Sequence, residues 1–277
     1  MKVLVFALLF LTSLAQAKIE SNYTLTPTAG QSEFLPGINL AVANIEFKNN
    51  AGDLKGIGLD LSAKYFYGLT DFLSVGLEVS HQNMRTEINA PNTNTQTTKG
   101  KGFADPVVRA KGNLDVADLG VFYSIAYGFA TQKSKYNFDS DEYTMASGQN
   151  SYQLEAGVAV PVNEYLIGGH INYTKNLKGK ETHTTNGIDS EVDLKESTSH
   201  RLKIYMEFQK QYHLTGAFVH QRQTDLYQGL EFSARFDTSS QSEIIPQVTS
   251  LVVKHPEDLN ADIASVVYFG ATFRYLF

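Results

Sequence analysis

The chain has 277 residues, 23 Lys and Arg against 29 Asp and Glu, a formal net charge of −6 and no cysteine. This mild acidity leaves no basic footprint for nucleic acid, and a disulfide framework is excluded. With 15 Tyr, 17 Phe and 21 Gly but only 7 Pro, the composition favours β structure.

The first element is a leader. Residues 1–17, MKVLVFALLFLTSLAQA, give a charged start at Lys2, an apolar run and the small-residue site Ala15-Gln16-Ala17. This is the pattern of a secretory signal peptide, with cleavage expected after Ala17. The run is too short for a spanning helix, which needs about 20 residues. Cleavage would leave about 260 residues, enough for one large domain or two small ones. Residues 18–37 form an N-terminal segment, either a loose periplasmic tail or a stretch folded back into a lumen, with the tail as the simpler expectation.

From residue 38 onward the sequence keeps a period of two. A strand over 38–47 is weakly patterned. Ile57, Leu59, Leu61, Ala63, Tyr65 and Tyr67 then share one face, opposite Gly58, Asp60, Ser62, Lys64 and Phe66. The same alternation sets Leu73, Val75, Leu77 and Val79 against Glu78, and Val108, Ala110 and Leu114 against Arg109 and Lys111. It recurs at 119–130, 152–160, 165–174, 201–208, 214–218 and 229–236. Pro246 interrupts a faint strand near 243–254, and the stretch 237–264 is poorly patterned. The chain closes with Val267, Phe269, Ala271, Phe273, Tyr275 and Phe277 on one face. Short connections fall at 68–71, 115–118, 161–164 and 209–211, and long polar ones at 83–101, 131–150 and 175–197.

Short turns at one end and long loops at the other predict an all-β, transmembrane, antiparallel up-and-down barrel of about 12 strands, with 10 as the alternative, over residues 38–277. Closure follows from the solvent. In hydrocarbon an unpaired backbone group costs several kcal/mol, so the sheet must close on itself. Tyr65, Tyr67, Phe72, Tyr165, Phe208, Tyr212 and Tyr275 sit by the short turns, as an interfacial girdle would.

The mixed face then lines the lumen. Asp60, Glu78, Arg109, Glu155, His170, Lys203 and Glu231 fall midway along their strands. Lys64, Lys111, Glu207, Arg235 and Arg274 fall nearer the turn end, and Arg201 shares the face. These charges suit either a salt-bridge plug or a charged constriction that selects solutes. His81, Asp105 and His220 lie at the height of a rim, but no nucleophile with an orienting base is visible, so no catalytic set is expected. No metal-ligand spacing and no cofactor motif appears.

The ending Phe273, Tyr275 and Phe277 resembles the C-terminal strand of bacterial outer-membrane proteins. That resemblance implies a recognition signal for the barrel-insertion machinery and a place in the outer membrane of a Gram-negative cell envelope. The stretch GFADPVVRAKGNL (102–114) resembles a strand of the meta-pathway phenol-degradation family of outer-membrane barrels, relatives of fatty-acid and hydrocarbon channels. It departs from that pattern at Lys111-Gly112, where the family carries Lys-Tyr. The expected function is a porin-like narrow channel or facilitator for transport of a small solute, monomeric and surrounded by outer-membrane lipid. The alternatives are a plugged structural barrel whose long loops bind a partner, and a barrel hydrolase.

Overall fold

A computed structural model describes residues 19, 21–91, 94–210, 212–222, 226–253 and 261–277. The expected signal peptide and its cleavage site after Ala17 lie outside the described residues. In chain order the strands are β1 (Ser32–Phe47), β2 (Asp53–Thr70), β3 (Leu73–Asn89), β4 (Gln96–Phe103), β5 (Val107–Val116) and β6 (Leu119–Gly128). Then come β7 (Ser134–Asn137), β8 (Glu142–Tyr143), β9 (Ser151–Val162), β10 (Tyr165–Asn176), β11 (Gly179–Thr185) and β12 (Ile188–Leu194). The last are β13 (Ser197–Phe208), β14 (Leu214–Arg222), β15 (Leu226–Ser233), β16 (Phe236–Ser239), β17 (Ser242–Val253) and β18 (Ala261–Leu276).

They form a closed antiparallel barrel of 12 strands. β4 and β5 both pair with β3 and act as one interrupted strand, and β15 and β16 do the same against β17. β18 closes on β1 in register from Glu33↔Leu276 to Ile45↔Ala264. The short ribbons β7, β8, β11 and β12 stand on the loop end, where β7 runs parallel to β11 and β8 to β4.

The two faces of the wall are inverted relative to a water-soluble sheet. Ile57, Leu59, Leu61, Leu77, Ile125, Leu154, Val158, Ile204, Met206 and Phe269 are exposed on the outside. Arg109, Lys111, Lys203, Glu207, Glu231 and Arg274 are buried on the inside. Apolar outside and charged inside is the layout that lipid imposes on a barrel. At the turn end Tyr165 packs on Phe208 at 5.4 Å and Tyr212 on Phe236 at 5.4 Å between ring centroids. Tyr65 and Ser32 hydroxyls meet at 2.8 Å. These rings sit where a chain needs groups that are half apolar and half wet.

The structure departs from the sequence reading at several places, among them the expected loops 131–150 and 175–197, which carry β7, β8, β11 and β12. β1 begins at Ser32, not at 38, so Glu33 belongs to the wall. Most of the expected loop 83–101 is strand, since Met84, Arg85, Thr86 and Glu87 pair with Gly100, Lys99, Thr98 and Thr97. These residues rise beyond the apolar belt, where both faces are polar and the two-residue signal vanishes. Pro246 lies inside β17, paired to Ala271, and its missing N–H falls opposite the gap between β15 and β16. Its carbonyl still accepts from the Ala234 N–H at 3.2 Å, so the loss to the ladder is confined to one side.

Candidate functional site

The N-terminal segment is not a loose tail. Ser21, Thr24, Leu25 and Thr26 are buried inside the barrel, and the segment lies as a floor across the turn end of the lumen. Each attachment uses a wall residue placed inward by strand parity. Asp115 accepts the Ile19 N–H at 3.0 Å, and Asn113 donates to the Ile19 carbonyl at 3.0 Å. Glu207 accepts the Asn22 N–H at 2.8 Å, while the Asn22 amide donates to the His213 carbonyl at 2.8 Å and to Thr215 at 2.9 Å. Lys111 donates to the Leu25 carbonyl at 2.8 Å. A polar backbone inside a barrel needs such partners, because no ladder is left for it.

Tyr23 is the apolar foot of this floor. Its ring meets Tyr205 edge-on at 4.9 Å, and the Lys203 ammonium lies 4.1 Å from its centroid. Tyr205 belongs to a buried cluster with Ala159, Leu166 and Ala217. Its ring lies over Gly168, its partner across β10 and β13, where a Cβ would overlap it.

Two buried carboxylates organise the charges. Glu33 is fully buried between Arg274 at 2.6 Å and Lys111 at 2.8 Å. Glu231 is fully buried between Lys203 at 2.6 Å and Arg201 at 3.0 Å, with the Thr249 hydroxyl at 2.9 Å. Between them runs a hydrogen-bonded belt. Arg109 pairs with Glu78 and, at 3.0 Å, with Glu155. It also donates to Ser124 at 2.8 Å and to Gln153 at 2.8 Å. Asn172 donates to Glu155 at 2.7 Å and stands beside Arg201 in register. Every member has a partner of opposite sign or a polar neighbour, which is the condition for burying charge at all.

The remaining lumen residues take other places. Asp60 accepts from Gln82 at 3.4 Å, and Lys64 stands beside Glu78 in register. His170 lies tilted against Phe122 at 5.6 Å. Arg235 approaches His213 at 2.9 Å, and His213 approaches Glu207 at 3.1 Å. Arg274 also reaches Glu243 at 3.3 Å. The rim residues are not brought together. His81 packs on Phe103, Asp105 accepts the Ser147 N–H and hydroxyl, and His220 bonds Gln228. Among the described residues, no group of three His, Cys, Asp or Glu side chains is placed to hold a metal.

Sequence reasoning missed Glu33, Glu243, Asn22 and Tyr23 as lumen partners. Glu33 was hidden by the late start assigned to β1. Asn22 and Tyr23 carried no periodic signal, because the floor segment is irregular.

Above the floor the lumen holds a cavity of about 480 Å³. Its lining includes Tyr23, Phe66, Phe122, His170, Lys64 and Arg201. A neighbouring space of about 360 Å³ against β17, β18 and β1 shares Arg201 and Gln247 with it.

No protein-family model matches the sequence, and no curated protein matches it significantly. Solved structures do match in shape. An outer-membrane channel from Pseudomonas putida F1 is 11% identical, with a TM-score of 0.62 over 94% of this chain and 100% of that one. The transport unit of the autotransporter AIDA-I from Escherichia coli is 8% identical, with a TM-score of 0.55 over 98% and 96%. The translocator domain of the autotransporter NalP from Neisseria meningitidis is 11% identical, with a TM-score of 0.53 over 92% and 90%. At these identities the matches establish the barrel fold.

Proposed function

We propose that the protein is a bacterial outer-membrane channel or facilitator for a small solute, closed at its periplasmic end by Ile19 and residues 21–31 in the state described. The observation that carries this reading is the cavity of about 480 Å³ standing on the floor segment. A barrel serving only as a structural shell gains nothing from a chamber of charged and aromatic side chains in its lumen. Ile19 and residues 21–25 are held to the wall through side chains, and the backbone joins the ladder only at Gly30 and Gln31, which bond Gly68 of β2, so the part before them can leave without opening the sheet. The barrel completes its own hydrogen bonding, which supports a monomer.

The leader pattern of residues 1–17 supports export, and the terminal Phe273, Tyr275 and Phe277 support delivery by the barrel-insertion machinery. A hydrolase is disfavoured by the separate partners of His81, Asp105 and His220. The ordered loop-end ribbons β7, β8, β11 and β12 favour the second reading, a barrel whose loops hold a partner.

Planar-bilayer recording of the mature chain and of a chain lacking residues 18–27 tests the proposal. Discrete current steps, larger or more frequent in the shortened chain, are expected. Silence from both, in barrels shown to be folded by heat-modifiable gel migration, would overturn the channel and leave the loop-binding reading.

A further inference from the structure

We infer that the lumen cavity is a binding site for small organic anions with a flat apolar body, of the benzoate type, held by Arg201 and Lys64. The inference deepens the channel reading by naming its solute class, and it rests on that reading for its role in transport.

The first argument is the polarity of the lining. The charged side chains that face the cavity are Lys64, Arg109, Lys111, Arg201 and Lys203 against Glu78 and Glu155. The carboxylates that neutralise Lys111 and Lys203, Glu33 and Glu231, are fully buried in the wall. Five cationic side chains therefore face the chamber against two carboxylates, and two further carboxylates stand behind them in the wall. In a narrow, low-dielectric lumen this arrangement favours an anion over a cation.

The second argument separates spent donors from available ones. Arg109 uses Nε, Nη1 and Nη2 on wall partners. Lys111 is held by Glu33 and the Leu25 carbonyl, with the Phe66 ring 4.0 Å away. Lys203 is held by Glu231 and the Tyr23 ring. Arg201 donates Nη2 to Glu231, while its Nε is buried with no acceptor among the described residues. The Lys64 ammonium makes no ion pair among the described residues, although it lines the cavity. A buried N–H without an acceptor is costly, and a turn of the one-third-exposed Arg201 side chain toward the chamber would let a ligand carboxylate satisfy it. The planar guanidinium suits a carboxylate in two-point contact.

The third argument is shape. The Phe66, Phe122 and Tyr23 rings give the chamber flat apolar walls, and the His170 imidazole beside Phe122 adds a flat polar one. Its volume of about 480 Å³ falls in the range of small-molecule sites. Arg201 lines both this chamber and the adjoining space of about 360 Å³, so a solute moving between them passes its guanidinium.

Calorimetric titration of the folded full-length mature barrel in detergent provides the test, with benzoate against its neutral analogue benzamide. Benzoate is expected to bind at least tenfold more tightly than benzamide. Arg201→Gln and Lys64→Gln should each weaken benzoate at least fivefold and leave benzamide unchanged. Lys64→Gln breaks no hydrogen-bonded ion pair and leaves Glu78 its contact with Arg109, so it remains informative if Arg201→Gln does not fold. Equal affinity for the two probes, or benzoate binding untouched by Lys64→Gln, would overturn the site. Bilayer recordings keep the two proposals apart. Benzoate binding by a silent barrel upholds the site and sinks the channel. Current without any anion preference upholds the channel and sinks the site.

Discussion

Arg274 on the last strand donates its Nε to Glu33 on the first, across 2.6 Å, where both side chains are buried. The bond crosses the β1–β18 seam, the one junction of the barrel that joins the two ends of the chain. The second oxygen of Glu33 holds Lys111 at 2.8 Å. Thus one carboxylate ties the seam to β5, three strands further round the wall, and neutralises two buried cations. Glu33→Gln removes the charge and leaves both cations short of a counter-ion. Breaking a buried pair in this way costs about 3 to 5 kcal/mol. Arg274 keeps Glu243 at 3.3 Å, so the expected loss is at the low end, about 3 kcal/mol. Urea unfolding of the refolded barrel should show a clearly lower midpoint. An unchanged midpoint would mean that the seam does not depend on this carboxylate.

Gly168 and Tyr205 are partners across β10 and β13, and the tyrosine ring occupies the place of the missing Cβ. That ring supports Tyr23, the apolar foot of the floor. Gly168→Ala should push the ring toward Tyr23 and cost about 1 to 3 kcal/mol through overpacking. The floor should loosen before the barrel does. Protease cleavage of the N-terminal segment from the turn end should rise at a temperature where the barrel still migrates as folded. If both change together, the floor is not a separate unit.

Phe277 and Ser32 exchange two backbone hydrogen bonds, at 2.7 and 3.0 Å, and the Phe277 ring is exposed on the outer wall. Removing Phe277 costs the seam one rung and costs the proposed insertion signal its last aromatic. In cells, assembly into the outer membrane should fall severalfold. Refolding of the purified chain into detergent should be nearly unaffected. Equal losses in both would assign the residue to stability alone.

Much of the wall was legible because lipid outside and charge inside force a period of two. Arg109, Lys203 and Glu231 could be placed in the lumen from parity alone. The signal failed wherever that solvent contrast ended. Thr97 and Thr98 extend β4 above the apolar belt, and their polar neighbours made the stretch read as loop. The β11–β12 hairpin turns on Asn186-Gly187, both at positive φ, a two-residue turn that the sequence carried openly inside a stretch read as loop. Glu33, Asn22 and Tyr23 were not legible, because their partners lie far along the chain and follow no local period.

At the loop end Glu191 joins two loops. It accepts from Lys133, ahead of β7, at 2.6 Å and from Lys180, on β11, at 2.8 Å. Hydrogen bonds from these two ammonium groups, and then their charge, hold its carboxyl at about 2, below the usual 4.5. A value lowered in the folded loop means that the contribution is fully present above pH 4.5 and is lost as pH falls toward 2. The groups are exposed, so added salt should weaken the effect. Hydrogen exchange across β11 and β12, compared at each pH with Glu191→Gln, isolates it from the intrinsic rate. The native loop should exchange more slowly than the variant above pH 4.5, with the difference closing as pH approaches 2. A difference that stays constant across that window would show that Glu191 acts through packing and not through its charge.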